Sequence, residues 1–439
     1  MKRLYLILVL SLVIMNAGAQ DIPGKAAELL KAYTAQSKFS GNVLIAKQGQ
    51  IIFQQSYGYA DRRHNTANTL ETTFRVGSLT KMFTSAVVLK LVEAKKLSLQ
   101  DPLSKFIPAF PGSDSIKIIH LLSHTSGIRG RGTGKALPTL EEQVKLYQFD
   151  TPANMPGTTF EYNNFNYILL SYIAQKISGR PFEKLLANEV FTVAGMEHSG
   201  LDRNDRNDLR QAIGYQTNPA SGDWEAVTGK PVETASGAGA MYSTLSDLFK
   251  WSQLAGSGKI YSVATYDLAT KPVQGNYGLG WIINDHNGHK EVSHSGAIEG
   301  YVANFISYPE EGITIILLSN YGDTDGRRLS GDLRAIVFNE PYELPRQKVA
   351  IALPDDILRR FAGTYELNEH FNVTVTLENN KLFALAKGDN MKIELIPESD
   401  HKFFLRGPQT TVEFLEESGK VSHLFVDMQG GMKLSRKQD

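Results

Sequence analysis

The sequence predicts an α+β protein, in which helices flank an antiparallel sheet, followed by a small all-β unit. Three observations predict this fold class. Alternating apolar segments near the N-terminus and beyond residue 278 indicate strands, and the long stretch between them has the apolar periodicity of helices. Beyond residue 357 the chain consists of short alternating segments with polar turns. The chain order is two strands, an all-helical insertion and three strands. This order predicts one domain in which helices pack against an antiparallel sheet, followed by an appended β unit.

The elements follow in chain order. Residues 40–57 predict two strands joined at KQG, residues 47–49. Residues 79–92 are apolar almost all round, which is typical of a buried helix. Apolar periodicity indicates further helices over residues 167–177 and 244–254.

The second group of strands begins with a predicted hairpin, formed by residues 278–283 and 290–294 around an Asn-Gly turn. Residues 300–308 and 312–319 extend the sheet. We expect the main domain to comprise residues 20–340, residues 341–356 to form a proline-containing linker, and residues 357–439 to form a small antiparallel barrel or meander, lipocalin-like in type.

Composition excludes several functional classes. Of the 439 residues, 46 are Lys or Arg and 46 are Asp or Glu, so the net charge is zero and a strongly basic nucleic-acid binder is excluded. The absence of cysteine excludes disulfides, thiolate metal sites and a cysteine nucleophile. No HExxH motif, complete P-loop or dinucleotide fingerprint occurs, so we expect neither a metal nor a cofactor. The oligomeric state stays open.

Residues 1–19 have the pattern of a secretory signal peptide: a basic start, a short apolar run and the small-residue ending AGA. The apolar run is shorter than the ~20 residues that a membrane-spanning helix requires. We therefore expect an exported protein, periplasmic or secreted, without a stable membrane anchor.

Three short motifs contain residues suited to acyl-transfer chemistry. Ser78 and Lys81, in the tetrapeptide SLTK, share one face of a helix, where the amine can activate the hydroxyl. Tyr162 and Asn164, before the helix at residue 167, can direct a phenol and an amide into one cleft. Taken alone, each motif is better explained by helix capping and aromatic packing.

The third motif, residues 294–297, ends a predicted strand. His294, Ser295 and Gly296 leave the backbone accessible, so the N–H of Ala297 can form an oxyanion hole with the N–H of Ser78. Taken alone, His294 is equally compatible with a hydrogen-bonded structural histidine.

In this order and spacing, the motifs resemble those of the serine β-lactamase and penicillin-binding protein superfamily, in its class C-like branch of D,D-peptidases, D-aminopeptidases and esterases. The resemblance covers nearly all of residues 22–340. It extends to four further stretches: HLLSHTSG (120–127), GAGAMYST (237–244), YGLGW (277–281) and LSN (318–320). A weaker similarity to the small β-barrel domains of related hydrolases lies in FAGTYE, residues 361–366.

The resemblance implies a β-lactamase/transpeptidase-like fold and an acyl-enzyme on Ser78. Lys81 and Tyr162 would share the general-base role, and Asn164 would orient Lys81 and the substrate. His294 stands where many β-lactamases have the lysine of a K-T-G triplet, and it would bind the Tyr162 side of the site or a substrate carboxylate.

We expect a small-molecule or peptide substrate, foremost a D-Ala-D-Ala-like peptide or a β-lactam. A carboxylesterase of the same fold and a non-catalytic wall-binding or regulatory module are the alternatives. Glu299, just beyond the third motif, would repel a substrate carboxylate and disfavour penicillin hydrolysis.

Overall fold

The computed structural model describes residues 21–129, 140–146, 152–203, 208, 210–218, 221–227, 235–368, 371–405, 410–427 and 432–437. The predicted signal peptide lies outside these residues. Among them, no helix combines the length and apolar character that crossing a membrane requires.

The helices are α1 (Ile22–Ala35), α2 (Thr80–Glu93), α3 (Ile118–Leu122), α4 (Leu140–Leu146), α5 (Asn164–Ser178), α6 (Phe182–Leu186), α7 (Thr192–Ala194), α8 (Ser236–Gly239), α9 (Leu245–Leu254), α10 (Val263–Ala269), α11 (Gly326–Phe338) and α12 (Asp355–Arg359). The 3₁₀ turns are Gly77–Leu79 and Leu103–Lys105, and a π-helical turn spans Ala187–Phe191.

The strands are β1 (Gly41–Lys47), β2 (Gln50–Tyr57), β3 (Tyr59–Asp61), β4 (Thr66–Ala67), β5 (Phe74–Arg75), β6 (Gly200–Leu201), β7 (Tyr215–Thr217), β8 (Trp224–Ala226), β9 (Met241–Ser243), β10 (Ile282–His286), β11 (His289–Ile298), β12 (Tyr301–Tyr308), β13 (Ile313–Ser319), β14 (Gly363–Asn368), β15 (Phe371–Glu378), β16 (Lys381–Ala386), β17 (Ile393–Pro397), β18 (Lys402–Leu405), β19 (Thr411–Glu417), β20 (Lys420–Val426) and β21 (Met432–Arg436).

A six-stranded antiparallel sheet forms the centre of the main domain, with the strand order β10-β11-β12-β13-β1-β2. Side chains of β1 alternate between its two faces, as the strand period requires. Val43 and Ile45 join the core beneath α1 and α11, whereas Leu44 and Ala46 join the larger core that contains α2 and α5. The sheet therefore separates two helical layers, and α2 brings the SLTK motif to the sheet.

Two predicted boundaries were wrong. Helix α5 begins at Asn164 rather than at residue 167, because the Asn163 side chain caps it by accepting the Phe165 N–H at 2.8 Å. Asn164 consequently lies in the first helical turn and not on a loop. Strand β11 continues past the third motif to Ile298, since its pairing with β12 extends to the Ile298–Tyr301 pair. His294 therefore lies within the strand.

The predicted β10 start was also wrong, because Gly278 and Gly280 lie in a turn before Ile282, with φ +87° at Gly280. Beyond the linker, β14–β21 close into an eight-stranded antiparallel barrel. Aromatic rings pack in its interior. The ring centroids of Phe361 and Phe414 lie 4.5 Å apart, and the Phe403 ring contacts both. The predicted fold class, an α+β sheet domain followed by a β-barrel, is confirmed.

Candidate active site

The turn at Gly77 places Ser78 at the start of α2. Gly77 adopts φ +52°, a left-handed conformation that favours glycine, and its carbonyl accepts the Thr80 hydroxyl at 2.7 Å. Ser78 is half-buried in this 3₁₀ turn, which leads directly into the helix. In a first helical turn, backbone N–H groups lack helical acceptors, so the N–H of Ser78 is suited to a ligand.

Lys81 is fully buried and lies in the first turn of α2, one helical turn after Ser78. Its Nζ lies 2.9 Å from Ser78 Oγ, 2.8 Å from Asn164 Oδ1 and 2.7 Å from the Ala238 carbonyl oxygen. Helices α2, α5 and α8 thus converge on one amine, and three predicted site residues lie in direct contact.

Burial lowers the pKa of Lys81 well below its usual value. The contacts fit the neutral amine, because the oxygens of Asn164 and Ala238 can accept its two N–H groups. The remaining lone pair then faces the Ser78 hydroxyl. This geometry suits proton transfer from the serine to the lysine.

The Tyr162 ring packs close to Lys81 and is partly exposed to solvent. Lys81 Nζ is 4.8 Å from the ring centroid. Desolvation raises the pKa of Tyr162 to about 12, although the nearby Ser78 side chain opposes this shift. A pKa of about 12 keeps the phenol protonated at neutral pH. With 43% of the residue exposed, Tyr162 is also accessible to a substrate.

His294 is buried within β11, and both ring nitrogens have partners. Nδ1 donates to the Ser295 carbonyl oxygen at 2.7 Å, and Nε2 therefore accepts the Tyr277 hydroxyl at 2.9 Å. Burial lowers the pKa of His294 to about 3. The imidazole is therefore neutral, and its predicted contact with a substrate carboxylate stays a prediction. Its ring centroid is 6.4 Å from that of Tyr162.

Two glycines allow β11 to approach the Ser78 turn. A Cβ added to Gly77 would lie 2.9 Å from the Ala297 nitrogen, and one added to Gly296 would lie 2.0 Å from the Val76 oxygen. Neither distance is compatible with a side chain. Backbone of Ser78 and Ala297 is consequently brought to one side of the cleft, as an oxyanion hole requires.

Tyr277 and His124 contact the predicted site residues, and we did not predict these contacts from the sequence. Tyr277 is 1% exposed and binds His294, and the His124 ring lies 4.3 Å from that of Tyr162. Both residues belong to stretches that carry the family resemblance, YGLGW and HLLSHTSG. Membership of these stretches was the sequence feature that could have indicated them as site residues.

Comparison with known proteins identifies the family. The model of the beta-lactamase family matches residues 26–338. The chain belongs to the beta-lactamase family. Residues 347–438 match a domain of unknown function. The superfamily consists of serine hydrolases, which agrees with the Ser78–Lys81 geometry.

Two relatives of this beta-lactamase-family chain come from Bacillus subtilis. The putative penicillin-binding protein PbpX is 32% identical over 65% of the chain and 71% of its own length. Penicillin-binding protein 4* is 28% identical over 91% of the chain and 95% of its own length. A penicillin-binding protein homologue from Pyrococcus abyssi, described as octameric, shares the fold with a TM-score of 0.67 and 23% identity, over 95% of this chain and 99% of its own.

Proposed function

We propose that the protein is a serine hydrolase that cleaves esters or amides having no carboxylate beside the scissile bond, through an acyl-enzyme on Ser78. The observation that carries the proposal is the buried Lys81 amine, 2.9 Å from Ser78 Oγ and held by two oxygen acceptors. Such an amine can accept the serine proton while Oγ attacks the carbonyl carbon.

In the proposed reaction, the N–H groups of Ser78 and Ala297 stabilise the oxyanion. Tyr162 is a protonated phenol at neutral pH, so it donates its proton to the leaving group and regains one from Lys81. Water then attacks the acyl-enzyme with Lys81 as the base, and Ser78 regains its proton. Asn164 keeps the lysine oriented by accepting one of its N–H groups.

The neutral His294 supports the restriction on the substrate. A lysine at this position would attract a substrate carboxylate, whereas the buried imidazole has both nitrogens engaged and carries no charge. Glu299 lies exposed in the turn after β11, beyond the Ala297 backbone that would form the oxyanion hole. The uncharged imidazole gives no electrostatic attraction to an anionic group beside the scissile bond.

A second candidate is hydrolysis of D-Ala-D-Ala peptides or acylation by β-lactams. Similarity to penicillin-binding protein 4* along nearly its whole length favours this candidate. The two candidates share the acylation chemistry and differ in the group that flanks the carbonyl.

Steady-state rates separate the candidates. The wild-type protein should hydrolyse p-nitrophenyl butyrate, and Ser78→Ala should lose this activity. Ser85→Ala is the matched control, because Ser85 lies on the same helix and donates to the Leu279 carbonyl oxygen instead. Hydrolysis of a D-Ala-D-Ala peptide or benzylpenicillin at comparable kcat/KM would instead support the second candidate. No Ser78-dependent activity on any of these substrates would overturn the proposal.

We also propose that the chain is exported and loses residues 1–19. The support is the sequence pattern alone. N-terminal sequencing of the protein from a secreting host should begin at Gln20, and an intact Met1 would contradict export by this route.

A further inference from the structure

His124 combines three unusual features outside the acyl-transfer groups. It is fully buried, its φ is +56°, and its Nε2 has no hydrogen-bond partner among the described residues. A buried donor without a partner is costly, and an ordinary loop residue would avoid that cost. The presence of a histidine ring at this buried position therefore needs a physical explanation.

The hydrogen bonds define the state of this ring. Nδ1 accepts the backbone N–H of Asn163 at 3.2 Å and contacts Asn166 Nδ2 at 3.2 Å. A nitrogen that accepts a backbone N–H carries a lone pair, so the neutral ring has its proton on Nε2. Protonating Nδ1 would break both contacts. His124 is therefore neutral, and its Nδ1 accepts the N–H of Asn163, directly after Tyr162.

The ring also supports Tyr162 itself. Their centroids lie 4.3 Å apart, and Lys81 Nζ lies 4.8 Å from the Tyr162 ring centroid. The titratable groups around His124 come from four other segments: Lys81 (α2), Tyr162 and Tyr167 (α5 and the residues before it), Tyr277 (the turn before β10) and His294 (β11).

We propose that His124 is a positioning residue, whose neutral ring holds Tyr162 against Lys81 and keeps water away from the lysine amine. The inference rests on the proposed function, because it assigns His124 a role in preparing the same base. Removing the ring would leave a cavity beside Tyr162 that water can enter. Lys81 would then be better solvated as the ammonium ion, and more of it would be protonated at a given pH.

The test compares two variants that separate the ring from the acceptor. His124→Asn keeps an acceptor close to the position of Nδ1, and asparagine tolerates the left-handed conformation, but the ring is lost. His124→Phe keeps a ring and loses the acceptor. His120→Asn is the matched control, because the Nδ1 of His120 also accepts a backbone N–H, that of Lys117, in the helix α3 that precedes His124.

The readout is the rate at which a fluorophosphonate labels Ser78, measured across pH. For His124→Asn, we expect the acid limb of the profile to move up by about one pH unit, which is a tenfold slower rate on that limb. His120→Asn should retain the wild-type limb. His124→Phe should stay close to the wild-type limb, and it keeps the test decisive if the asparagine variant does not fold.

Each outcome has one meaning. A folded His124→Asn variant with the wild-type limb would overturn the inference and leave the proposed function intact. A His124→Phe limb displaced by a full unit would also overturn it, because the ring would then not be the supporting feature. A wild-type protein that is never labelled at Ser78 would contradict the proposed function, and the inference would fall with it.

Discussion

Substituting Gly296 tests whether the β11 edge must contact the Ser78 turn. A Cβ at this position would lie 2.0 Å from the Val76 carbonyl oxygen and 3.1 Å from the Ser78 nitrogen. Both neighbours are backbone atoms, which cannot rotate away as a side chain can. In Gly296→Ala, the strand and the turn must therefore separate by about 1 Å, a displacement that can cost about 100-fold in rate.

The assay is kcat/KM with p-nitrophenyl butyrate, measured together with the free energy of unfolding. We expect the rate to fall about 100-fold and overpacking to cost about 1–3 kcal/mol of stability. Gly331→Ala is the control, because Gly331 lies on α11 and an added Cβ there meets nothing within 4 Å. That variant should keep its activity and gain about 0.5–1 kcal/mol in stability. A folded Gly296→Ala protein with wild-type kcat/KM would refute the reasoning.

Three further predictions concern buried ionisable side chains. Lys81→Gln should lower kcat about 100- to 10,000-fold without unfolding the protein. In the wild type, kcat/KM should rise with pH along a limb below pH 10.5, because burial lowers the pKa of Lys81. A limb at or above pH 10.5 would contradict this prediction. The pKa of His294 falls from 6.5 when unfolded to about 3 when folded, so the unfolded state binds more protons between these values. Through His294 alone, urea titration should show about 3 kcal/mol less stability at pH 4 than at pH 6.5. His294→Gln should lose this part of the dependence and keep the part that comes from the buried His124. Arg75→Met should cost about 3–5 kcal/mol, since Arg75 Nε donates at 2.7 Å to the fully buried Asp202 carboxylate; unchanged urea unfolding would contradict it.

The sequence analysis was most informative where a local pattern determines local structure. The strong apolar character of residues 79–92 predicted α2, and the i, i+3 spacing predicted that Ser78 and Lys81 meet. Alternation predicted the strands of the central sheet. These features depend on neighbours in the chain, whose geometry is fixed by the helix and strand periods.

Contacts between distant segments could not be derived in the same way. The hydrogen bond between Tyr277 and His294 depends on the turn that Gly280 makes. The packing of His124 on Tyr162 depends on how the segments next to α3 and α5 meet. The neutral state of His294 followed only from its two hydrogen-bond partners and its burial, whereas the sequence left a carboxylate-binding role open. Protonation states are properties of the assembled site.

The most direct test of the central claim is intact-mass spectrometry after rapid quenching of the protein with p-nitrophenyl butyrate. The wild-type protein should gain the mass of one butyryl group, and peptide mapping should place it on Ser78. Ser78→Ala should gain nothing, and Ser85→Ala should match the wild type. A butyryl group that forms equally on Ser78→Ala, or turnover with no dependence on Ser78, would contradict an acyl-enzyme at this serine.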